Sequence, residues 1–192
     1  MTEIKYQSIF IVITLTLMSV APCNATKLKG DPLAQPLNIV REQLIERGIS
    51  AYKAGYYPEA VSLIRDFLSH RRLIQTPIEK EGLIYLALAY QQVGESAQAT
   101  ETINRAISIA NHSPLELAHL WYTAGIISQQ QHQTKMVIAH WEQARHIYDN
   151  NHKCQQWTEI TLKLAEIYQG VGNQQRYQEL LTEIRINQIA DH

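Results

Sequence analysis

The chain has 192 residues, of which 45% are hydrophobic, and this is enough apolar material for a folded domain rather than a disordered chain. Its 17 basic and 18 acidic residues nearly cancel and form no long run of one sign. The sequence therefore lacks the basic surface that nucleic-acid binding requires, and we predict no nucleic-acid partner.

The first 25 residues have the pattern of an export signal. Lys5 gives a weakly positive start, an apolar run follows over residues 9–18, and the segment ends in Cys-Asn-Ala at residues 23–25. This arrangement predicts cleavage after Ala25 and a periplasmic or secreted protein. The apolar run is shorter than the roughly 20 residues that span a bilayer, so an uncleaved membrane anchor is the less favoured alternative. Lipid modification of Cys23 is a third alternative. It is disfavoured because the preceding proline departs from the usual lipidation motif.

Residues 26–36 carry charged residues, a glycine and two prolines, and we interpret them as a linker. From there the apolar residues follow a 3.6-residue period almost to the end of the chain. We therefore predict an all-α fold over residues 37–190, a right-handed α-solenoid of four helix-turn-helix repeats. Its eight predicted helices are Leu37–Ala54, Pro58–His70, Pro77–Val93, Ser96–Ala110, Pro114–Gln130, Thr134–Tyr148, Gln155–Val171 and Gln174–Ile189.

A small residue recurs in the middle of the first helix of each pair. These residues are Gly48, Ala87, Gly125 and Ala165, at intervals of 39, 38 and 40 residues. A period of this length is typical of stacked helical repeats. Because glycine in a helix costs up to about 1 kcal/mol relative to alanine, the glycines predict sites where two helices approach closely.

Two similar segments open the second and third pairs. They read Thr76-Pro77-Ile78-Glu79 and Ser113-Pro114-Leu115-Glu116. In each, the hydroxyl is placed to cap the new helix, the proline suits its first position, and the glutamate is placed to reach back to the cap. Both therefore support the predicted register of the repeats.

The spacing of these residues resembles the tetratricopeptide repeat. The motifs that carry the resemblance are Gly48-x6-Gly55-Tyr56-Tyr57-x2-Ala60 in the first repeat, Leu86-Ala87-x2-Tyr90-x3-Gly94-x4-Ala99-x6-Ala106 in the second, Trp121, Gly125 and Ala144 in the third, and Leu164, Ala165, Tyr168 and Gly172 in the fourth. His132 replaces the turn glycine of the third repeat. The repeats are longer than the family's usual 34 residues, and in this they resemble those that precede the catalytic domain of bacterial CHAT-domain proteins, although the CHAT domain itself is absent from this sequence.

The resemblance implies a concave groove lined by the first helices that binds a peptide or a partner protein. The implied groove residues are tyrosines, aliphatic residues and glutamines, a mixture that suits an extended peptide or an amphipathic helix. They are Ile45, Ile49, Tyr52, Tyr85, Leu88, Gln92, Tyr122, Ile126, Gln129, Gln130 and Gln169. Basic groups are few on this face, mainly Lys53 and Lys163, so we do not expect a clamp for a terminal carboxylate.

No motif predicts catalysis, a metal site or a cofactor. The histidines at 140, 146 and 152 are six residues apart, a spacing that does not place two of them on one helical face. Cys154 has no partner within the chain if the signal is removed. We therefore predict an exported, non-enzymatic interaction scaffold. Two alternatives stay open at this point: an accessory subunit of a CHAT-like peptidase system, and an assembly factor that self-associates.

Overall fold

The structure is a computed structural model that describes residues 34–69, 77–110 and 113–190. These residues form eight α-helices and no strand. The helices are α1 Ala34–Lys53, α2 Tyr57–Ser69, α3 Pro77–Gln92, α4 Ser96–Ile109, α5 Pro114–Gln130, α6 Thr134–Asn150, α7 Cys154–Gly170 and α8 Gln174–Ala190. None of them is long and apolar enough to cross a membrane.

Each helix packs against the helices before and after it in the chain, and short turns make such neighbours antiparallel. This arrangement is an all-α solenoid of four helix pairs, as the sequence predicted. The first helix begins at Ala34, three residues before the predicted Leu37 and inside the predicted linker. The predicted signal segment and the rest of the linker lie outside the described residues.

Five of the connections share one turn geometry, at residues 54–56, 93–95, 131–133, 151–153 and 171–173. In the first of them the Tyr56 N–H donates to the Ala51 carbonyl at 2.9 Å and the Gly55 N–H donates to the Tyr52 carbonyl at 3.0 Å. This pair of bonds satisfies helix carbonyls that would otherwise lack donors, and it requires a positive φ at the central residue.

Glycine supplies that positive φ in three of the five turns, with values of 85°, 85° and 76°. Histidine supplies it in the other two, His132 at 57° and His152 at 53°. The sequence analysis recognised the exchange at His132. It did not recognise the turn at His152, which joins two repeats by the same three-residue connection that is used within a repeat.

The predicted helix start at Ser113 is confirmed, but the predicted role of its glutamate is wrong. The Ser113 hydroxyl accepts a hydrogen bond from the Glu116 N–H at 3.4 Å. The Glu116 carboxylate accepts a hydrogen bond from Lys80 of α3 at 2.6 Å instead of turning back to the cap. A cation on a neighbouring helix is a stronger partner for a carboxylate than a neutral backbone N–H. The cap predicted at Thr76 lies outside the described residues.

The small residues mark close approaches between the two helices of a repeat, as predicted. A Cβ atom added at Gly48 would lie 2.5 Å from Cγ1 of Ile64, and one added at Gly125 would overlap the indole of Trp141. In the other two repeats Ala87 and Ala165 are 0% and 1% exposed. Small residues here let the paired helices pack tightly.

Two hydrophobic cores fill the solenoid. The first runs from α1 into α5 and includes Ile64, Leu83 and Ile127. The second runs from α5 to α8 and includes Trp141 and Leu164. Helix α5 contributes to both cores, and its Trp121 packs against each of them.

Candidate partner-binding groove

In the first three repeats the first helices form the inner layer of the solenoid. Helix α3 contacts both α1 and α5 directly, whereas α2 and α4 make no comparable contact in the described part of the chain. Between α2 and α4 there is instead an open cleft of 310 Å³ that reaches down to Leu83 of α3. Because the first helices of the first three repeats lie closer together than the second helices, this part of the array curves toward the first helices. The surface of the first helices that faces away from the second helices is the candidate groove.

The predicted groove residues differ widely in exposure. Ile45 is only 3% exposed and belongs to the first core, so it offers a partner little surface. The half-buried residues are Ile49, Tyr52, Tyr85, Leu88, Tyr122 and Ile126, and the exposed residues are Gln92, Gln129, Gln130 and Gln169. The half-buried side chains are held by the core and still present a surface to solvent.

The structure brings two of the predicted tyrosines together. The rings of Tyr52 and Tyr85 meet edge to face, with centroids 5.4 Å apart, and the Tyr57 ring centroid lies 5.5 Å from that of Tyr52. The ammonium of Lys53 lies 5.9 Å from the centre of the Tyr85 ring. Burial, reinforced by the neighbouring phenols, raises the pKa of Tyr52 above its usual value. The packed rings of this aromatic cluster form a semi-rigid surface that suits contact with a peptide.

Tyr122 does not join that cluster, and its position in the repeat differs: it lies three residues before Gly125, whereas Tyr85 lies two before Ala87. Its hydroxyl donates to the Glu159 carboxylate at 3.1 Å and its ring stacks on Trp141 with centroids 6.3 Å apart. Burial, followed by the charge of Glu159, raises the pKa of Tyr122 to about 12. The hydrogen bond joins α5 to α7 and fixes the Tyr122 ring in one orientation.

A cleft of 660 Å³ opens between α1 and α3 at the N-terminal end of the groove. Aliphatic residues form its floor and carboxylates stand at its rim, with one cation at the end near the aromatic cluster. The floor is Ile45, Ile49 and Ile78, the carboxylates are Glu42, Glu46 and Glu81, and the cation is Lys53. We call this feature the N-terminal cleft.

Sequence reasoning missed four residues of the N-terminal cleft, which are Glu42, Glu46, Ser50 and Ile78. Glu42 and Glu46 lie on the same face of α1 as Ile45 and Ile49, since residues three and four apart are neighbours on a helix. That spacing could have identified them. Ile78 was assigned only to a helix start, and its position opposite α1 depends on how the two repeats stack, which spacing alone does not give.

The histidines and the cysteine are not brought together. His140 is half-buried, stacks on Trp121 at 5.4 Å and lies 3.2 Å from the Ser128 hydroxyl, whereas His146 and His152 are exposed. Within the described ranges no group of three or more His, Cys, Asp or Glu residues is placed to hold a metal ion. Cys154 is exposed at the first position of α7.

The arrangement defines a class of protein, the helical-repeat solenoid with an open groove. No protein-family model and no curated protein matches the chain. Solved structures resemble it at low sequence identity. MamA is 18% identical over 83% of each chain, with a TM-score of 0.62. The TPR-like repeats of a Podosopora anserina putative kinesin light chain are 18% identical over 79% of this chain and 96% of that one, with a TM-score of 0.50.

A third similar structure is the Rap conjugation gene regulator of the plasmid pLS20, which was solved in complex with the Phr* peptide. It is 15% identical, with a TM-score of 0.63, and the match covers 88% of this chain and 48% of the Rap chain. These similarities, together with the repeat motifs, show that the chain has the tetratricopeptide-repeat fold. The closer resemblance to CHAT-associated repeats stays a prediction.

Proposed function

We propose that the protein is an interaction module that binds a peptide or a segment of a partner protein along its first-helix groove. The observation that carries this proposal is the groove itself. The aromatic cluster of Tyr52 and Tyr85 lies close to the N-terminal cleft, and exposed glutamines follow on α3 and α5. Aromatic and aliphatic side chains supply contact area, and glutamine amides supply donors and acceptors for a peptide backbone.

The Rap structure supports this proposal by analogy of fold, because a protein of similar architecture was solved with a peptide bound. The analogy covers about half of the Rap chain and does not indicate which peptide this protein would bind. We further propose that the mature protein begins at Thr26 after export. N-terminal sequencing of the protein recovered from the periplasm or the medium tests that start site.

Position-specific photo-crosslinking tests the groove. A photoreactive phenylalanine analogue replaces Gln92 or Gln129, which are exposed on the first helices, or Gln98 or Gln143, which are exposed on the second helices. We expect partner adducts mainly from the two groove positions. Equal adduct yields from both sides of the solenoid would contradict the proposal, and an adduct of twice the chain's mass would identify a second copy as the occupant.

A companion set of variants tests the tyrosines. Alanine at Tyr52, Tyr85 and Tyr122 together should lower the adduct yield from Gln92, because it removes the aromatic contact surface. Tyr56 is the matched control, since it is 65% exposed in the turn between α1 and α2. Circular dichroism of each variant shows whether the fold is retained. Unchanged capture by a folded triple variant would exclude the tyrosines as contacts.

A further inference from the structure

The N-terminal cleft combines an apolar floor with an unbalanced charge. Glu42, Glu46 and Glu81 are exposed at its rim, and Lys53 at the far end is the one cation among the described residues that line it. We propose that this cleft selects cationic amphipathic segments, in which lysine or arginine alternates with aliphatic or aromatic side chains. This inference rests on the proposed function.

The three carboxylates are available to a partner. Among the side chains that the structure describes, no ion pair involves Glu42, Glu46 or Glu81. Lys80 of the adjacent α3 is already engaged, because its ammonium lies 2.6 Å from Glu116 and its side chain is only 14% exposed. The negative charge of the rim is therefore not neutralised by the neighbouring helix.

The floor provides the second half of the recognition. Ile78 is 39% exposed, a high value for a large aliphatic residue, and Ile49 is half-buried beside it. Ile45 closes the floor from below, where its side chain packs toward Gly82 and the first core. A leucine or aromatic side chain resting on Ile49 and Ile78 would bring flanking basic groups to the glutamates on either side. A purely hydrophilic basic peptide would leave the floor exposed.

Lys53 sets a direction along the cleft. It lies eleven residues beyond Glu42 on α1, roughly 16 Å along the helix axis. A segment with its basic residues near Glu42 and Glu46 can place a carboxylate or a backbone carbonyl at Lys53. The reverse orientation would place basic groups next to Lys53, where like charges repel.

Selection from a library provides the test. Random 12-residue peptides displayed on phage are selected on the intact protein and on the variant Glu42→Gln/Glu46→Gln/Glu81→Gln. A matched control carries Glu59→Gln/Glu95→Gln/Glu101→Gln, which removes the same charge from exposed positions outside the groove. We expect the intact protein and the control to enrich peptides with lysine or arginine next to aliphatic or aromatic residues, and the cleft variant to lose that enrichment.

Affinities of an enriched peptide quantify the effect. By fluorescence anisotropy, the cleft variant should bind on the order of tenfold more weakly than the intact protein, and the control less than about threefold more weakly. Equal weakening by both variants would overturn the inference, because it would indicate general charge attraction. Enrichment of peptides without a basic bias would overturn the inference and leave the proposed function standing. Enrichment of no peptide would count against both.

Discussion

The indole of Trp141 occupies the space that a side chain on Gly125 would need. The indole N–H also donates to the carbonyl of Tyr122 at 3.1 Å, one turn before Gly125 on α5. The glycine thus lets a large ring lie directly on the backbone of the neighbouring helix, and the hydrogen bond fixes the orientation of the ring. In the first repeat Ile64 holds the equivalent position, sixteen residues after Gly48.

Gly125→Ala should therefore destabilise the fold although alanine is the better helix former. The gain in helix propensity is about 1 kcal/mol, and overpacking against a rigid, hydrogen-bonded ring costs about 1–3 kcal/mol. Urea denaturation followed by circular dichroism should show a lower free energy of unfolding. The double variant Gly125→Ala/Trp141→Leu should recover part of the packing loss relative to Trp141→Leu alone.

Gly170 is the matched control, because it ends α7 and a Cβ atom there would meet nothing within 4 Å. Gly170→Ala should leave the free energy of unfolding unchanged or raise it by up to about 1 kcal/mol. Equal losses for alanine at 125 and at 170 would show that the cost does not come from Trp141.

The two histidines with positive φ should be replaceable by glycine with a gain in stability. Side chains in this conformation cost roughly 1–2 kcal/mol, and glycine avoids that cost but loses more backbone entropy on folding. We expect His132→Gly and His152→Gly each to raise the free energy of unfolding by up to about 1 kcal/mol in urea titrations.

The converse substitution checks the explanation. At Gly55 the φ is 85° and no atom lies within 4 Å of an added Cβ, so Gly55→Ala introduces backbone strain without a clash. A loss of about 1 kcal/mol is expected there. If the histidine variants lose stability instead, the side chains must make stabilising contacts that outweigh the backbone strain.

The pH dependence of stability should contain a contribution from His140. Burial lowers its pKa below the usual 6.5, and a hydrogen bond with the Ala124 backbone opposes the shift only in part. The unfolded chain therefore takes up a proton at a higher pH than the folded protein does. The stability that His140 contributes to the fold is therefore complete above about pH 6.5, and it is lost as the pH falls toward the lower pKa of the folded state.

Urea titrations at pH 7.5 and 5.5 measure that loss. His140→Gln should reduce the difference in unfolding free energy between the two pH values. If His140→Gln retains the full pH dependence of the unfolding free energy, that dependence comes from other groups.

A charge network holds the last helix in place. Arg145 of α6 donates to Glu142 at 3.0 Å and to Glu183 of α8 at 2.6 Å, and Arg176 of α8 donates to Glu183 at 3.2 Å. Arg145 is only 17% exposed. Arg145→Ala should lower the free energy of unfolding by about 1–3 kcal/mol and speed amide hydrogen exchange in α8.

The control for that network is Arg185→Ala, which removes an exposed arginine from α8 itself. It should change the exchange of α8 amides little. Similar exchange rates for the two variants would mean that apolar packing alone holds α8.

Much of the fold was predictable because each repeat carries its own local signals. Glycine turns, the Ser113 cap and the small residues at 48, 87, 125 and 165 all set helix boundaries or close contacts within one repeat. The turn at His152 was missed because no glycine marks it. The pairing of Glu116 with Lys80 was missed because it joins two repeats, and the distance between repeats is not encoded in a local motif.

The groove was less predictable for the same reason. The resemblance to the tetratricopeptide repeat implied the face of α1 that carries Ile49 and Tyr52. It could not separate Ile45, which turns into the core, from its exposed neighbours. Tyr85 and Tyr122 differ by one position in the repeat and have different partners: Tyr85 packs against Tyr52, and Tyr122 donates to Glu159. Burial and pairing depend on the neighbouring repeat.

The sharing of α5 by both hydrophobic cores has a consequence for communication along the molecule. Neither half is complete without this helix, so the two halves are coupled cooperative units rather than independent ones. A ligand in the N-terminal cleft contacts only α1 and α3. Helix α5 links that cleft to α7 and α8, because Trp121 packs on both cores and Tyr122 donates a hydrogen bond to Glu159 of α7.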